Sequence, residues 1–384
     1  MSAHSPVGPS TLARVVQCPA SVPLSLKFPT LIEDPSAAEG EASHWAMYSL
    51  LKTHEPKPGD MAPNGILLDD ELIDMAQVYV NHVASIVDPQ SAWGLLNVER
   101  RMSLTMLHPE MFGTPDSDVW LPRVFELHLF DLKTGHLKVD PYECWQVVAY
   151  ARGALERLNL SEEDLARVKI FIHICQPRAF HFEGPIRTWQ TTVARLRPLW
   201  ATITERTTLA LGPDAEKHYH TGPECEFCPG RRACTVLAQE AATAMDQAQQ
   251  SLPVDLPPQA VGLELRWLDQ KLALLEARRS GLAEQATYYE QRGQSVPFYG
   301  MRAGAGRRKW KPDVKPQEFR SLGALLGGVD LMAEQKPLTP PQAEEKLKKL
   351  RIDPAVIASY YEHVPGAMKL VPVDTNHAKK VFTP

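Results

Sequence analysis

Val124-Phe-Glu-Leu-His-Leu-Phe-Asp131-Leu-Lys133 is the stretch on which the fold turns. Its apolar residues alternate closely enough for a strand, and a period of two puts Phe125, Leu127, Leu129, Asp131 and Lys133 on one face. An acid and a lysine thus end an apolar row, which is costly to bury unless the charges pair or bind a ligand. Upstream, Gly113-Thr-Pro-Asp116 sets a second carboxylate at the entrance of the preceding strand, behind a glycine–proline turn. Two carboxylates at the ends of neighbouring strands can hold Mg²⁺ through oxygen. A lysine beside them can orient water and offset charge on a phosphate, as metal-assisted phosphodiester hydrolysis requires. The competing reading is a strand-end ion pair beside a turn aspartate, because a bare D-x-K recurs by chance.

Outward from this strand, helical periodicity predicts helices over 37–52, 69–87 and 142–158, the second with Leu72, Met75, Ala76, Tyr79, Val80 and Val83 on its apolar face. Extended segments are expected at 94–104, 118–121 and 168–176. Residues 186–211 read as one long helix leading to a cysteine cluster. Strands, a helix and a further strand together predict a mixed α/β sheet flanked by helices. The Pro-rich run SLPVDLPP at 251–258 reads as a linker between a first domain, 1–250, and a mainly helical C-terminal domain, 259–384. In the latter a helix over 261–292 carries Leu263, Leu265, Leu268, Leu272, Leu275 and Leu282, a face suited to core packing or to an oligomer contact.

A net charge of −5 argues against a protein that coats nucleic acid by bulk positive charge, but not against a carboxylate-rich nuclease site. Basic residues gather instead around Arg307-Arg308-Lys309-Trp310-Lys311, where cations beside an aromatic could follow a single strand, or the tryptophan could simply pack on its domain. No stretch reaches the roughly 18–20 apolar residues of a membrane span, and the N-terminus has no signal-peptide pattern, so a cytoplasmic protein without membrane contact is expected.

Six cysteines are too few for a disulfide-stapled domain. Cys225, Cys228 and Cys234 have C-x₂-C-x₅-C spacing, which suits a soft metal, either Zn²⁺ or an iron–sulfur cluster. The fourth ligand could be His218 or His220 nearby, or the distant Cys18. Cys144 and Cys175 read as free buried thiols.

Four motifs then stand in order: G-x-x-x-H at Gly40 to His44, G-x-x-D at Gly113 to Asp116, D-x-K-T-G at Asp131 to Gly135, and Q-x-x-x-Y at Gln146 to Tyr150. With Glu143, the last pair is expected on one helix face. In this order the sequence resembles the RecB-like branch of the PD-(D/E)xK nuclease superfamily, which includes the nuclease domains of bacterial recombination helicase-nucleases and the CRISPR adaptation nucleases. The resemblance implies a restriction-endonuclease-like mixed sheet. It also implies Mg²⁺ or Mn²⁺ held by His44, Asp116, Asp131 and the Leu132 carbonyl, with Lys133 positioning water and Gln146 and Tyr150 aligning DNA and the lysine. The iron–sulfur members of that branch use one cysteine before the core and three after it, which implies a [4Fe–4S] cluster on Cys18, Cys225, Cys228 and Cys234, with Zn²⁺ the alternative. The implied activity is DNA cleavage, exonucleolytic in kind, on strands with free or single-stranded ends. The chain's length and its Gly/Arg-Lys-Trp-Lys segment resemble phage and prophage proteins, which implies phage recombination or replication partners in a bacterial host. Two rival readings are a silent nucleic-acid binder and a zinc-containing structural phage protein.

Overall fold

The computed structural model describes residues 5–32, 35–52, 54–87, 95–182, 184–248, 256–304, 306–311, 314–333, 336–364 and 368–372. The chain divides into two compact units, 1–282 and 283–384. The first opens with α1 (Leu12–Gln17), α2 (Ser21–Lys27), α3 (Pro35–Lys52) and α4 (Asp70–Ile86). Next come β1 (Asn97–Val98), β2 (Met102–Ser103), β3 (Phe112–Gly113), β4 (Ser117–Leu121) and β5 (Glu126–Leu132). Helices α5 (Trp145–Leu158) and α6 (Glu162–Arg167) precede β6 (Lys169–Cys175) and β7 (Ile186–Thr192). Three helices follow: α7 (Val193–Leu211), α8 (Thr235–Ala248) and the long α9 (Pro258–Glu290).

Five of these strands form one mixed sheet in the order β1-β4-β5-β6-β7, antiparallel throughout except for the parallel β5–β6 pair. The alternation read in 124–133 holds. Leu127 and Leu129 join Ile170, Ile172 and Ile174 under α5 and α7, while Phe130 and Leu132 face the α3–α4 layer. Each of these side chains is at most 2% exposed, and burying one contributes about 1.5–3 kcal/mol. Helix α4 begins where Asp69 caps it by accepting from the Leu72 amide, and acidic Asp70 and Glu71 suit its positive end.

The segment 186–211 corrects the expectation of one helix. Its first seven residues, Ile-Arg-Thr-Trp-Gln-Thr-Thr, are the edge strand β7, antiparallel to β6. Its β-branched and aromatic side chains favour the pleated surface, and Thr192 starts α7 by accepting from the Arg195 amide. The start of α5 also shifts. Cys144 is its N-cap residue, and Glu143 lies outside the helix with φ +54°.

On the α4-facing side of β5 and β6 three histidines form a row. His173 Nδ1 lies 3.1 Å from His82 Nε2 and 2.9 Å from Thr188 Oγ1, and its Nε2 lies 3.1 Å from His128 Nδ1. Burial lowers the pKa of all three, that of His173 to about 2 with the neighbouring imidazoles adding to the effect. The unfolded chain takes up a proton near the ordinary value of about 6.5 while folded His173 does not. Stability is therefore complete above that pH and falls below it, by about 1.4 kcal/mol per pH unit from His173. In urea titrations at pH 7.5 and 5.0, wild type should lose roughly 2 kcal/mol more than His173→Gln. Equal losses would refute the role of the row.

The expected linker at 251–258 lies partly outside the described residues. Within the first unit, helix α9 packs through Leu274 and Ala277 against Leu237, while Leu263, Leu265, Leu268, Leu272 and Leu282 are exposed. The second unit contains β8 (Tyr299–Ala303), β9 (Arg307–Trp310), α10 (Pro316–Leu325), β10 (Met332–Ala333), β11 (Lys336–Pro337), α11 (Pro340–Lys349), β12 (Tyr361–Val364) and β13 (Met368–Pro372). Its strands pair as three short antiparallel ladders, and Phe319, Leu331, Ala343, Leu347 and Ile357 form its core. Among the described residues no helix is long and apolar enough to cross a membrane.

Candidate active site

Antiparallel pairing of β4 with β5 sets Ser117 opposite Phe130, which brings Asp116 beside the end of β5. There Asp116 Oδ2 accepts from the Leu132 amide at 2.5 Å, and Oδ1 faces His44 Nδ1 at 3.2 Å. Asp131 points from the same edge, its Oδ2 2.8 Å from Lys133 Nζ. Lys133 Nζ also donates to Gln146 Oε1 at 2.8 Å. One turn further along α5, the Tyr150 hydroxyl donates to the Thr114 carbonyl at 3.1 Å. His44, Asp116, Asp131, Leu132, Lys133, Gln146 and Tyr150, distant in sequence, thus stand around one sheet edge.

Two glycines stand at close approaches within this convergence. A β-carbon on Gly40 would stand 3.1 Å from Thr134 Oγ1, so glycine lets α3 approach the turn after Lys133 and deliver His44 one helical turn later. A β-carbon on Gly113 would stand 2.8 Å from the Tyr150 hydroxyl and 2.9 Å from Pro9 Cδ. Gly113→Ala should therefore push Tyr150 away from Thr114 and shift Asp116, lowering any cleavage rate by about 10- to 100-fold, since small misplacements are costly in catalysis. A rate unchanged in a folded Gly113→Ala protein would contradict this coupling.

Asp116 and Asp131 are 8% and 3% exposed, and their environments drive them apart. Burial pushes both carboxyls up. At Asp116 the charge and hydrogen bond of His44, with Lys133 and the Leu132 amide, more than reverse it. At Asp131 burial prevails over Lys133, and the negative charge on Asp116 adds to it. Burial disfavours charge on His44, yet Asp116 raises its pKa to about 9. Lys133 is likewise held protonated, against burial, by Asp131 and Asp116.

The donors present are carboxylate oxygens and an imidazole, a hard set that suits Mg²⁺ or Mn²⁺. The buried Asp131 Oδ2 faces the Lys133 ammonium at 2.8 Å and has no other hydrogen-bond partner among the described residues, which leaves it a lone pair for a cation. As arranged, each carboxylate faces a cationic neighbour, and no group of three or more His, Cys, Asp or Glu side chains among the described residues forms a ligand cage. One neighbouring acid was not singled out from sequence. Glu99, with φ +43°, donates its amide to the Asp116 carbonyl at 2.9 Å and lines a pocket with Glu41, His44, Trp45 and Tyr48. Desolvation, and then Asp116, push its carboxyl up. Nothing in the run Asn-Val-Glu-Arg marks it, because its position depends on the short β1–β4 pairing.

A second site lies in the same unit. Cys18, between α1 and α2, lines an apolar cavity with Cys225, Cys228 and Cys234. The His220 and Leu237 amides each donate to a cysteine sulfur, those of Cys18 and Cys234 respectively, at 3.4 Å. Burial raises the Cys18 and Cys234 thiols and takes Cys225 to about 11. His218 contributes its carbonyl near Cys18 Sγ, and His220 is exposed. Cys144 and Cys175 stay apart, both as free thiols.

The basic segment occupies β9, in a ladder with β12. Arg308 is paired with Glu344, and Trp310 packs 4.6 Å from Phe319 while its Nε1 donates to the Leu338 carbonyl. The indole is thereby built into the core of the second unit. Lys311 is half-buried and donates its amide to the Tyr360 carbonyl. Of Arg307 and Lys309 the structure describes only the backbone.

A family model for a "Protein of unknown function (DUF2800)" matches residues 4–378. Among solved structures, a "Putative exonuclease" from Eubacterium rectale is similar over 65% of this chain and 95% of that one, at 10% identity and a TM-score of 0.32. A likeness at that level carries no argument about chemistry.

Proposed function

We propose that this chain, which belongs to the DUF2800 family, is a divalent-metal-dependent DNA nuclease of the PD-(D/E)xK type. The observation that carries the reading is the convergence of four separated motifs on one pair of buried carboxylates, with Lys133 between Asp131 and Gln146. Asp116, Asp131 and His44 would hold Mg²⁺ or Mn²⁺, with the Leu132 carbonyl as a further ligand. The cation, when bound, supplies positive charge that polarises the phosphodiester and acidifies water. Lys133, protonated and fixed by Gln146, orients water and offsets charge developing on the phosphate. Tyr150 holds the Thr114 carbonyl and so fixes the loop that carries Asp116. The reading places the protein in phage recombination, replication or DNA processing, on strands with free ends.

We read the cysteine site as that of a [4Fe–4S] cluster. Support comes from the four cysteines, one before the sheet and three after it, which line a single cavity. Amide donors on two of the sulfurs are the kind of hydrogen bond that tunes such clusters. The cluster would fasten the N-terminal helices to the segment after α7.

End-labelled DNA incubated with the purified protein and Mn²⁺ tests the activity. Shortening that stops on chelation supports the proposal, and binding without shortening under Mg²⁺ or Mn²⁺ supports a silent DNA-binding protein instead.

A further inference from the structure

We propose that Phe180 and Phe182 form a stacking platform for unpaired nucleobases at the mouth of the carboxylate site, an inference that rests on the nuclease reading. Because β5 and β6 run parallel, with Leu132 opposite Cys175, both strands end at the same edge. The Lys133 amide donates to the Cys175 carbonyl there. The β6–β7 connection therefore leaves the sheet beside the catalytic lysine.

Its base is anchored. Gln176 Nε2 donates to the Gly135 and Leu137 carbonyls at 2.8 and 2.7 Å, clamping the turn that follows Lys133. Arg178 reaches the Thr134 carbonyl and forms ion pairs with Glu39 at 3.2 Å and Glu71 at 2.7 Å. Phe180 follows two residues later, within about 7 Å of chain.

On this fixed base the two phenyl groups are 97% and 85% exposed. They add almost nothing to a core, and the His181 ring stands 4.4 Å from Phe182, widening the aromatic surface. Leu137, whose carbonyl Gln176 holds, is 64% exposed. Apolar side chains left this open on segments anchored to the turn after Lys133 suit a ligand with flat apolar faces. Arg178 is already neutralised by two glutamates, so the platform addresses bases and not phosphates. A duplex hides its base faces in its own stack, whereas an unpaired strand offers them, and stacking on aromatics tolerates any sequence.

The test uses the full chain in chelator, so that binding is read without cleavage, with fluorescent single strands, strands carrying 2-aminopurine, and duplexes of equal length. Phe180→Ala/Phe182→Ala should weaken single-strand binding by about 25-fold or more. It should also abolish the 2-aminopurine quenching and leave duplex binding unchanged. Phe180→Trp/Phe182→Trp should keep both single-strand signals. Absence of single-strand binding by wild type, an unchanged affinity in the alanine variant, or an equal loss on duplex would overturn the platform. So would an effect confined to the protein's own association state, which marks a protein contact. Phenyl-dependent binding without any cleavage under Mn²⁺ would support the platform and sink the nuclease reading alone.

Discussion

Cys18→Ser should lower the thermal midpoint of the protein by on the order of 10 °C and remove the brown colour of a cluster-loaded preparation. Cys18 stands some two hundred residues before Cys225 in sequence, yet both line one cavity. Four thiolates on a metal cluster would join the turn between α1 and α2 to the turns before α8, closing a loop around the entire sheet. Binding free energy at such a site is folding free energy, because the unfolded chain presents no preformed ligand set. Loss of one ligand of four should cost several kcal/mol, and a unit of this size shifts by about 2–4 °C per kcal/mol. Cys175→Ser, at a buried thiol outside the cavity, is the control: it should keep the colour. Iron and zinc analysis decides the metal. Colourless protein with stoichiometric zinc would refute the cluster, and undiminished iron in Cys18→Ser would refute Cys18 as a ligand.

Lys133→Ala should reduce phosphodiester cleavage by about 100- to 1,000-fold while DNA affinity changes little, since on the proposed mechanism its ammonium acts where charge develops. The lysine lies between the Asp131 carboxylate and Gln146 Oε1, both at 2.8 Å, so its position is fixed before substrate arrives. Removal leaves Asp131 buried without its partner, which ordinarily costs about 3–5 kcal/mol. Asp131 already has a raised pKa and can take a proton, which limits that loss. Thermal melting of the variant separates unfolding from lost chemistry. A folded Lys133→Ala protein that cleaves at the wild-type rate would remove the lysine from the mechanism.

Much of the candidate site was legible because its parts are local motifs. Alternation gave the face of Asp131 and Lys133, helical spacing paired Gln146 with Tyr150, and the G-x-x-x-H motif pointed to His44. What the sequence hid depends on pairing between distant strands. Residues 186–192 carry Arg, Gln and Trp among threonines, a pattern compatible with a helix face until β6 supplies an edge to pair with. Glu99 reaches the site only through the two-residue β1–β4 ladder, and such a short ladder leaves no periodicity to read. The histidine row was equally silent, because His82, His128 and His173 meet only when α4 crosses the sheet. Trp310 illustrates the reverse problem. A tryptophan among basic residues suits nucleic acid as well as a core, and only the contact with Phe319 and the bond to Leu338 show how its ring is held.

The most direct test of the account sets wild type beside Asp116→Asn, a nearly isosteric change that keeps the loop and removes the charge, on the same end-labelled DNA with Mn²⁺. A metal held by Asp116 predicts progressive shortening by wild type, none on chelation, and a loss of at least about 100-fold in the variant. Equal cleavage by both proteins, or none by wild type, would contradict it.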